Sequence, residues 1–286
     1  MRFILENPTF TSQSKEKLDL RADKFQMKYV CSPALRRSFE KSTLLDAICD
    51  DIRQQESKTV QKTLKVERSK VVNVPKYEKA LKLHGKEDCS LFVTEGDSAK
   101  SLAVAGFSVI GRETNGVFPL RGKLPNVRGM TIERGLQNKE ILSMTKILGL
   151  DPRACYTAET VKKLPYKTLV IFTDQDHDGS HIMGLLINWL LSFHPSLLTA
   201  RPDFVKRFAT PIIRAKLSPG GEMASFFSEV EYRAWIGDRT PNFLKYYKGL
   251  GTSDADDAKV YFSNFDRHII SVMFTGQKCS EATELF

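Results

Sequence analysis

The chain has 286 residues, of which 43 are Lys or Arg and 34 are Asp or Glu, for a formal net charge of +9. Hydrophobic residues at 41% and charged residues at 27% describe a globular protein and exclude low-complexity disorder, and the positive balance favours an acidic partner, nucleic acid first, over a merely mildly basic surface. No apolar run reaches the roughly 18 residues of a membrane helix, and Met1 to Ser12 lacks the apolar core of a secretory signal.

The first segment, to about residue 57, ends in a helical pattern. Leu35, Phe39, Leu45, Ile48 and Ile52 recur at roughly helical spacing, with charges between them, unless Ser42 and Thr43 break the helix where the spacing slips between Phe39 and Leu45. Ser32 is placed to cap this helix and Pro33 to occupy its first position. Gln54 to Leu83 then holds eight Lys or Arg against three Glu, which is +5 of the total charge. This stretch reads as an exposed arm or linker, either facing DNA or simply solvated. The five cysteines are widely spaced and form no Cys-x-x-Cys. They imply a reducing compartment without a structural zinc site, with most of them buried.

From Cys89 the pattern changes. Cys89 to Thr94 is a short apolar run that stops at Glu95-Gly96-Asp97-Ser98, and Ala99 to Phe107 follows as a helix. Thr168 to Thr173 is a second such run, stopping at Asp174, with an apolar helix over Ser180 to Leu191. Strand, polar turn and helix thus occur twice. This predicts an α/β fold with a mainly parallel sheet, whose chemistry sits at the carboxyl ends of its strands.

Asp174-Gln175-Asp176-His177-Asp178-Gly179 places three carboxylates at alternate positions after the second strand. Carboxylates this close repel one another, and a hard divalent cation relieves the repulsion. An EF-hand loop begins the same way, but its twelfth position would be Leu185 where a bidentate Glu is needed. A solvated acidic turn is the other alternative. Mg²⁺ held by one or two carboxylates, waters and substrate phosphates fits the pattern better, with Mn²⁺ or Ca²⁺ as possible substitutes. Glu95 ends the other strand and is expected at the same sheet edge, as metal-assisted phosphoryl transfer requires. His177 and His181 are four apart, but acidic oxygens dominate and the His-Glu-x-x-His pattern of zinc is absent.

Glu95-Gly96-Asp97-Ser98-Ala99-Lys100, with Asp174-x-Asp176-x-Asp178-Gly179, resembles the Toprim domain of topoisomerases and primases. Pro119 to Val127 resembles the segment after the first acidic motif in type IIA topoisomerases, with Pro125 in place of an aliphatic residue. Tyr246-Tyr247-Lys248-Gly249-Leu250-Gly251-Thr252-Ser253 resembles that family's glycine-rich motif. Glu6-Asn7-Pro8-Thr9-Phe10 with Gln13-Ser14-Lys15 resembles the end of its ATPase region, with Ser14 where Thr is usual. In this order the motifs span almost the whole chain and are most similar to the eukaryotic members.

The resemblance implies a Rossmann-like Toprim fold preceded by a helical transducer tail. Implied boundaries are 1–57 for the end of the ATPase and transducer region, 58–87 for a basic linker and 88–205 for the Toprim core. Residues 206–275 would be its extension with the glycine-rich motif, and 276–286 the start of a winged helix. Glu95 would be a metal ligand and the acid or base at the 3′-oxygen. Asp174 and Asp176 would bind two Mg²⁺ ions, with Asp178 outside them. Arg121, Lys123, Asn126 and Lys248 would contact DNA; each is also readable as an ordinary turn residue. Gln13, Ser14 and Lys15 would reach ATP in the complete enzyme. Double-stranded DNA, a homodimer, no membrane and a nuclear location, or alternatively an organellar one, complete the expectation.

The family's nucleophilic tyrosine follows an arginine, and none of the eight tyrosines here does. The chain is therefore expected to be part of an ATP-dependent type II topoisomerase, without the nucleophile or most of the ATP site. The alternatives are a non-catalytic DNA- or metal-binding module and a primase-like or nuclease-like Toprim protein.

Overall fold

The computed structural model describes residues 32–40, 47–48, 51, 74–83, 88–276, 279 and 281. The chain divides into two compact units, residues 1–58 and 59–286. In the first, helix α1 spans Pro33–Glu40, and residues 47–48 and 51 are also helical. Pro33 stands at the start of α1, where its missing N–H costs nothing.

The second unit is built on β1 (Ser90–Glu95), β2 (Asn115–Leu120), β3 (Thr168–Phe172), β4 (Val205–Phe208) and, at the far end of the chain, Ile269–Val272. These five strands form one sheet in the order β2, β1, β3, β4 and the last strand. The first three pairings are parallel and the last is antiparallel. The expected mainly parallel α/β fold is observed.

Both faces of the sheet are covered, which is why β1 and β3 read as continuous apolar runs rather than alternating ones. Leu91, Val93, Leu169 and Ile171 join the larger core, while Phe92, Val170 and Phe172 join the smaller one. Helix α2 (Gly96–Ile110) supplies Ala99, Leu102, Ala103 and Phe107 to the smaller core. After β2 come α3 (Ile132–Leu136), α4 (Lys139–Ile147) and α5 (Ala158–Val161). Helix α6 (His177–Phe193) follows β3 and packs Ile182, Leu185, Leu186, Trp189, Leu190 and Phe193 into the larger core. A short α7 (Pro195–Ala200) then leads to β4.

Between β4 and the returning edge strand the chain builds a second sheet. It comprises β5 (Ile213–Lys216), β6 (Ala224–Phe226) and β7 (Phe243–Tyr246), antiparallel in the order β6, β5, β7, with α8 (Glu229–Ile236) between β6 and β7. A 3₁₀ turn at Leu250–Thr252, α9 (Ala255–Ser263) and α10 (Phe265–His268) bring the chain back to the edge strand, β8 (Ile269–Val272). Ala258, Tyr261 and Phe262 of α9 close the smaller core. There Phe208 and Phe262 stack with ring centroids 4.7 Å apart, and Phe172 meets Phe208 edge-on at 5.1 Å.

Residues 74–83, within the expected linker, pack on the sheet edge. Glu78 and Val117 exchange backbone hydrogen bonds, and the Tyr77 and Tyr166 hydroxyls lie 2.6 Å apart. Among the described cysteines Cys89 is buried, as expected, but Cys155 is exposed and Cys279 half-buried. No helix among the described residues is long and apolar enough to cross a membrane.

Candidate active site at the carboxyl end of the parallel sheet

Strands β1 and β3 are direct neighbours with Thr94 opposite Phe172, so their carboxyl ends lie side by side. Glu95 closes β1, and Asp174 follows β3 by two residues. The sheet therefore brings together two acidic motifs that lie far apart in sequence. Glu95 Oε2 is buried without a hydrogen-bond partner. Burial pushes the Glu95 carboxyl above its usual range, and the charges of Asp174, Asp176 and Asp178 push it the same way. The Asp174 backbone N–H opposes that shift only in part.

Each aspartate is held differently. Asp176 caps α6, its Oδ1 accepting the Gly179 N–H at 2.8 Å. Asp178 lies in the first turn of α6 and pairs with Lys123 Nζ at 2.6 Å. Lys123 and two neighbouring histidines hold its carboxyl below the usual range. Asp174 is enclosed from two sides. A Cβ on Gly179 would stand 2.1 Å from the Asp174 carbonyl oxygen, and one on Gly249 would stand 2.3 Å from its Oδ2. Both positions therefore require glycine on packing grounds. The Leu250 N–H donates to Asp174 Oδ1 at 2.7 Å.

Arg121 lines a cleft with Lys76, Glu95, Gly96, Asp97 and Gly122. Lys76 pairs with Asp97 and has a left-handed backbone, φ 64°, uncommon for a residue with a side chain. Asn126 is committed to its own turn: Oδ1 accepts from the Arg128 N–H at 3.0 Å and from Asn188 Nδ2 at 2.6 Å. Lys248 is exposed, one residue before the glycine that meets Asp174. Gln13, Ser14 and Lys15 lie outside the described residues.

Residues 90–208 match the Toprim domain, and residues 208–286 match the C-terminal associated domain of TOPRIM. The chain is 43% identical to the DNA topoisomerase 2 of Pisum sativum, over 99% of this chain and 19% of that protein. It is 41% identical to the Drosophila melanogaster DNA topoisomerase 2, over 98% of this chain and 19% of that one. The crystal structure of the Plasmodium falciparum topoisomerase II DNA-binding, cleavage and re-ligation domain aligns with a TM-score of 0.68 at 42% identity. That alignment covers 74% of this chain and 29% of the other. Over nearly its whole length the chain is thus similar to a stretch of DNA topoisomerase 2, and it carries a Toprim domain followed by the domain associated with it.

The chain spans about a fifth of the length of the curated relatives it matches. The acidic site includes two residues that sequence reasoning passed over, Lys76 in the cleft and Leu250 against Asp174. Lys76 belonged to a stretch legible only as basic, and nothing local announces its left-handed turn. Leu250 acts through a backbone N–H, for which the side chain gives no signal. Among the described residues no three His, Cys, Asp or Glu side chains converge as a ready-made metal cage.

Proposed function

We propose that this chain supplies the metal-binding half of the cleavage centre of a type II DNA topoisomerase. In the complete, ATP-dependent homodimer it would support transient cleavage and religation of double-stranded DNA. The observation that carries the proposal is the buried, unpartnered Glu95 Oε2 beside Asp174, at the carboxyl ends of neighbouring parallel strands. The donor set suits Mg²⁺: the oxygens are hard, and this ion is commonly held by one or two carboxylates, with waters and substrate phosphate completing the shell. A site of that kind needs no three-residue cage. Glu95 and Asp174 would hold the ion, with Asp176 beside them.

Bound Mg²⁺ would stabilise negative charge on the phosphate and leaving oxygens. The raised affinity of Glu95 for a proton suits it to give one to the leaving 3′-oxygen on cleavage and to take it back on religation. Arg121 and Lys123 would hold backbone phosphates without reading sequence. Asp176 caps α6 and Asp178 stands in its first turn, where the helix dipole eases the cost of crowding negative charge.

The test replaces the matching segment of the Pisum sativum enzyme with this chain and follows relaxation of supercoiled DNA. Relaxation that persists after Glu95→Ala, or after Asp174→Ala combined with Asp176→Ala, defeats the proposal. A second reading, a non-catalytic DNA-binding module, is favoured by the absence of any Arg-Tyr pair. It gives filter binding that weakens steeply with salt but no relaxation in the chimaera.

A further inference from the structure

Asp257 is 7% exposed, yet its carboxylate meets three side chains, one from β5, one from β7 and one from the residue after β7. Arg214 Nη1 pairs with Oδ1, Lys245 Nζ reaches Oδ2 at 3.1 Å, and the Tyr247 hydroxyl lies 3.1 Å and 3.2 Å from the two oxygens. Arg214 and Lys245 are direct cross-strand partners on β5 and β7. Like charges in that relation repel, and the carboxylate between them converts the repulsion into a clamp of α9 onto the small sheet. A helix cap alone would not need these contacts. The α9 capping box uses Asp254, whose side chain takes the Asp256 and Asp257 N–H groups, and Asp257 completes it by accepting the Asp254 N–H at 3.4 Å, a contact separate from the three side chains.

The clamp has a direction. Tyr247 is 8% exposed, its N–H donates to the Ile212 carbonyl at 2.8 Å, and its hydroxyl ends on Asp257. Two residues later Gly249 abuts the Asp174 carboxylate, and three residues later Leu250 donates to it. We infer that Asp257 is a positioning residue for Asp174, acting through Tyr247 and the glycine-rich loop. Removing a partner that orients a ligand typically costs about 10- to 100-fold in metal affinity. Because the inference rests on the proposed metal site, its test has one arm that needs no metal.

That arm measures amide exchange in the metal-free 286-residue chain. In Tyr247→Phe, which leaves the α9 cap and both ion pairs in place, Leu250 should exchange at least about 10-fold faster. Leu169, bonded to the Phe204 carbonyl in the core sheet, should keep its rate. Asp257→Asn should do the same, more strongly. The second arm titrates Mg²⁺ by calorimetry and expects affinity to fall about 10-fold in Tyr247→Phe. Asp254→Ala, which weakens the helix cap but not the clamp, is the control. Unchanged Leu250 exchange in Tyr247→Phe, equal acceleration at Leu169, or an equal effect of Asp254→Ala at matched Tm each overturns the inference. If the unmodified chain binds no Mg²⁺, the metal reading fails, and the exchange arm still decides the positioning.

Discussion

No side-chain carbon fits between Gly249 and Asp174: a Cβ at Gly249 would stand 2.3 Å from Oδ2, well inside contact distance. Leu250, next along, donates its N–H to the other oxygen of the same carboxylate, across 76 residues of sequence. The glycine-rich loop is therefore one wall of the acidic site, and its chemistry depends on an absent side chain as much as on the carboxylates present.

Gly249→Ala should displace Asp174 while leaving the cores intact. The expected outcome is a loss of Mg²⁺ affinity of roughly 10-fold or more, with a cooperative unfolding transition still present. Calorimetric titration beside a thermal melt checks it. A variant that binds Mg²⁺ as tightly as the parent chain would show that the loop does not shape the site.

Glu95→Gln separates stability from activity. Burial and three nearby aspartates disfavour the charged Glu95 carboxylate, so a neutral isostere relieves an unfavourable interaction. Tm should hold or rise, whereas relaxation by the chimaeric enzyme should fall by roughly 10²-fold or more, as for a lost general acid or base. A fall in Tm with activity retained would reverse both assignments.

His194 makes the fold sensitive to acid. It is 1% exposed at the end of α6, edge-on to Trp189 with centroids 5.5 Å apart, and burial pushes its pKa down from 6.5 to about 3. Between those values the unfolded chain binds the proton and the folded chain does not. Stability from this residue is therefore complete above about pH 6.5 and is lost progressively as pH falls. From pH 7 to pH 5 the loss is about 2 kcal/mol. Urea unfolding at both pH values, for the parent chain and His194→Asn, checks this. Parallel losses in the two proteins would refute it.

Lys123→Ala should leave stability almost unchanged, because its pair with Asp178 is largely exposed. DNA binding should weaken uniformly across sequences, and the slope of log affinity against log salt should shrink by about one. Binding measured over a salt series on two unrelated duplexes tests it. An unchanged slope would mean that Lys123 serves Asp178 and not DNA.

The parallel strands and their following helices were legible because both faces of the sheet are buried. Continuous apolar runs such as Leu91 to Val93 and Leu169 to Phe172 are what that environment demands. The acidic turn was legible because Asp174, Asp176 and Asp178 sit at alternate positions after such a run. Lys76 was illegible because its place depends on Tyr77 and Glu78 docking to Tyr166 and Val117. Asp257 was illegible for a similar reason, since two of its three side-chain partners face it from strands of another sheet.

The sequence by itself determined which carboxylates exist, that they follow buried strands, and that the charge around them is basic, since these depend on local composition and hydrophobic pattern. Tertiary structure decided that Glu95 and Asp174, expected at one edge, stand side by side there, because β1 pairs directly and in parallel with β3. It also decided that Gly249 closes on Asp174, because that contact needs the chain to leave at β4, build a second sheet and come back to the acidic edge in the loop after β7.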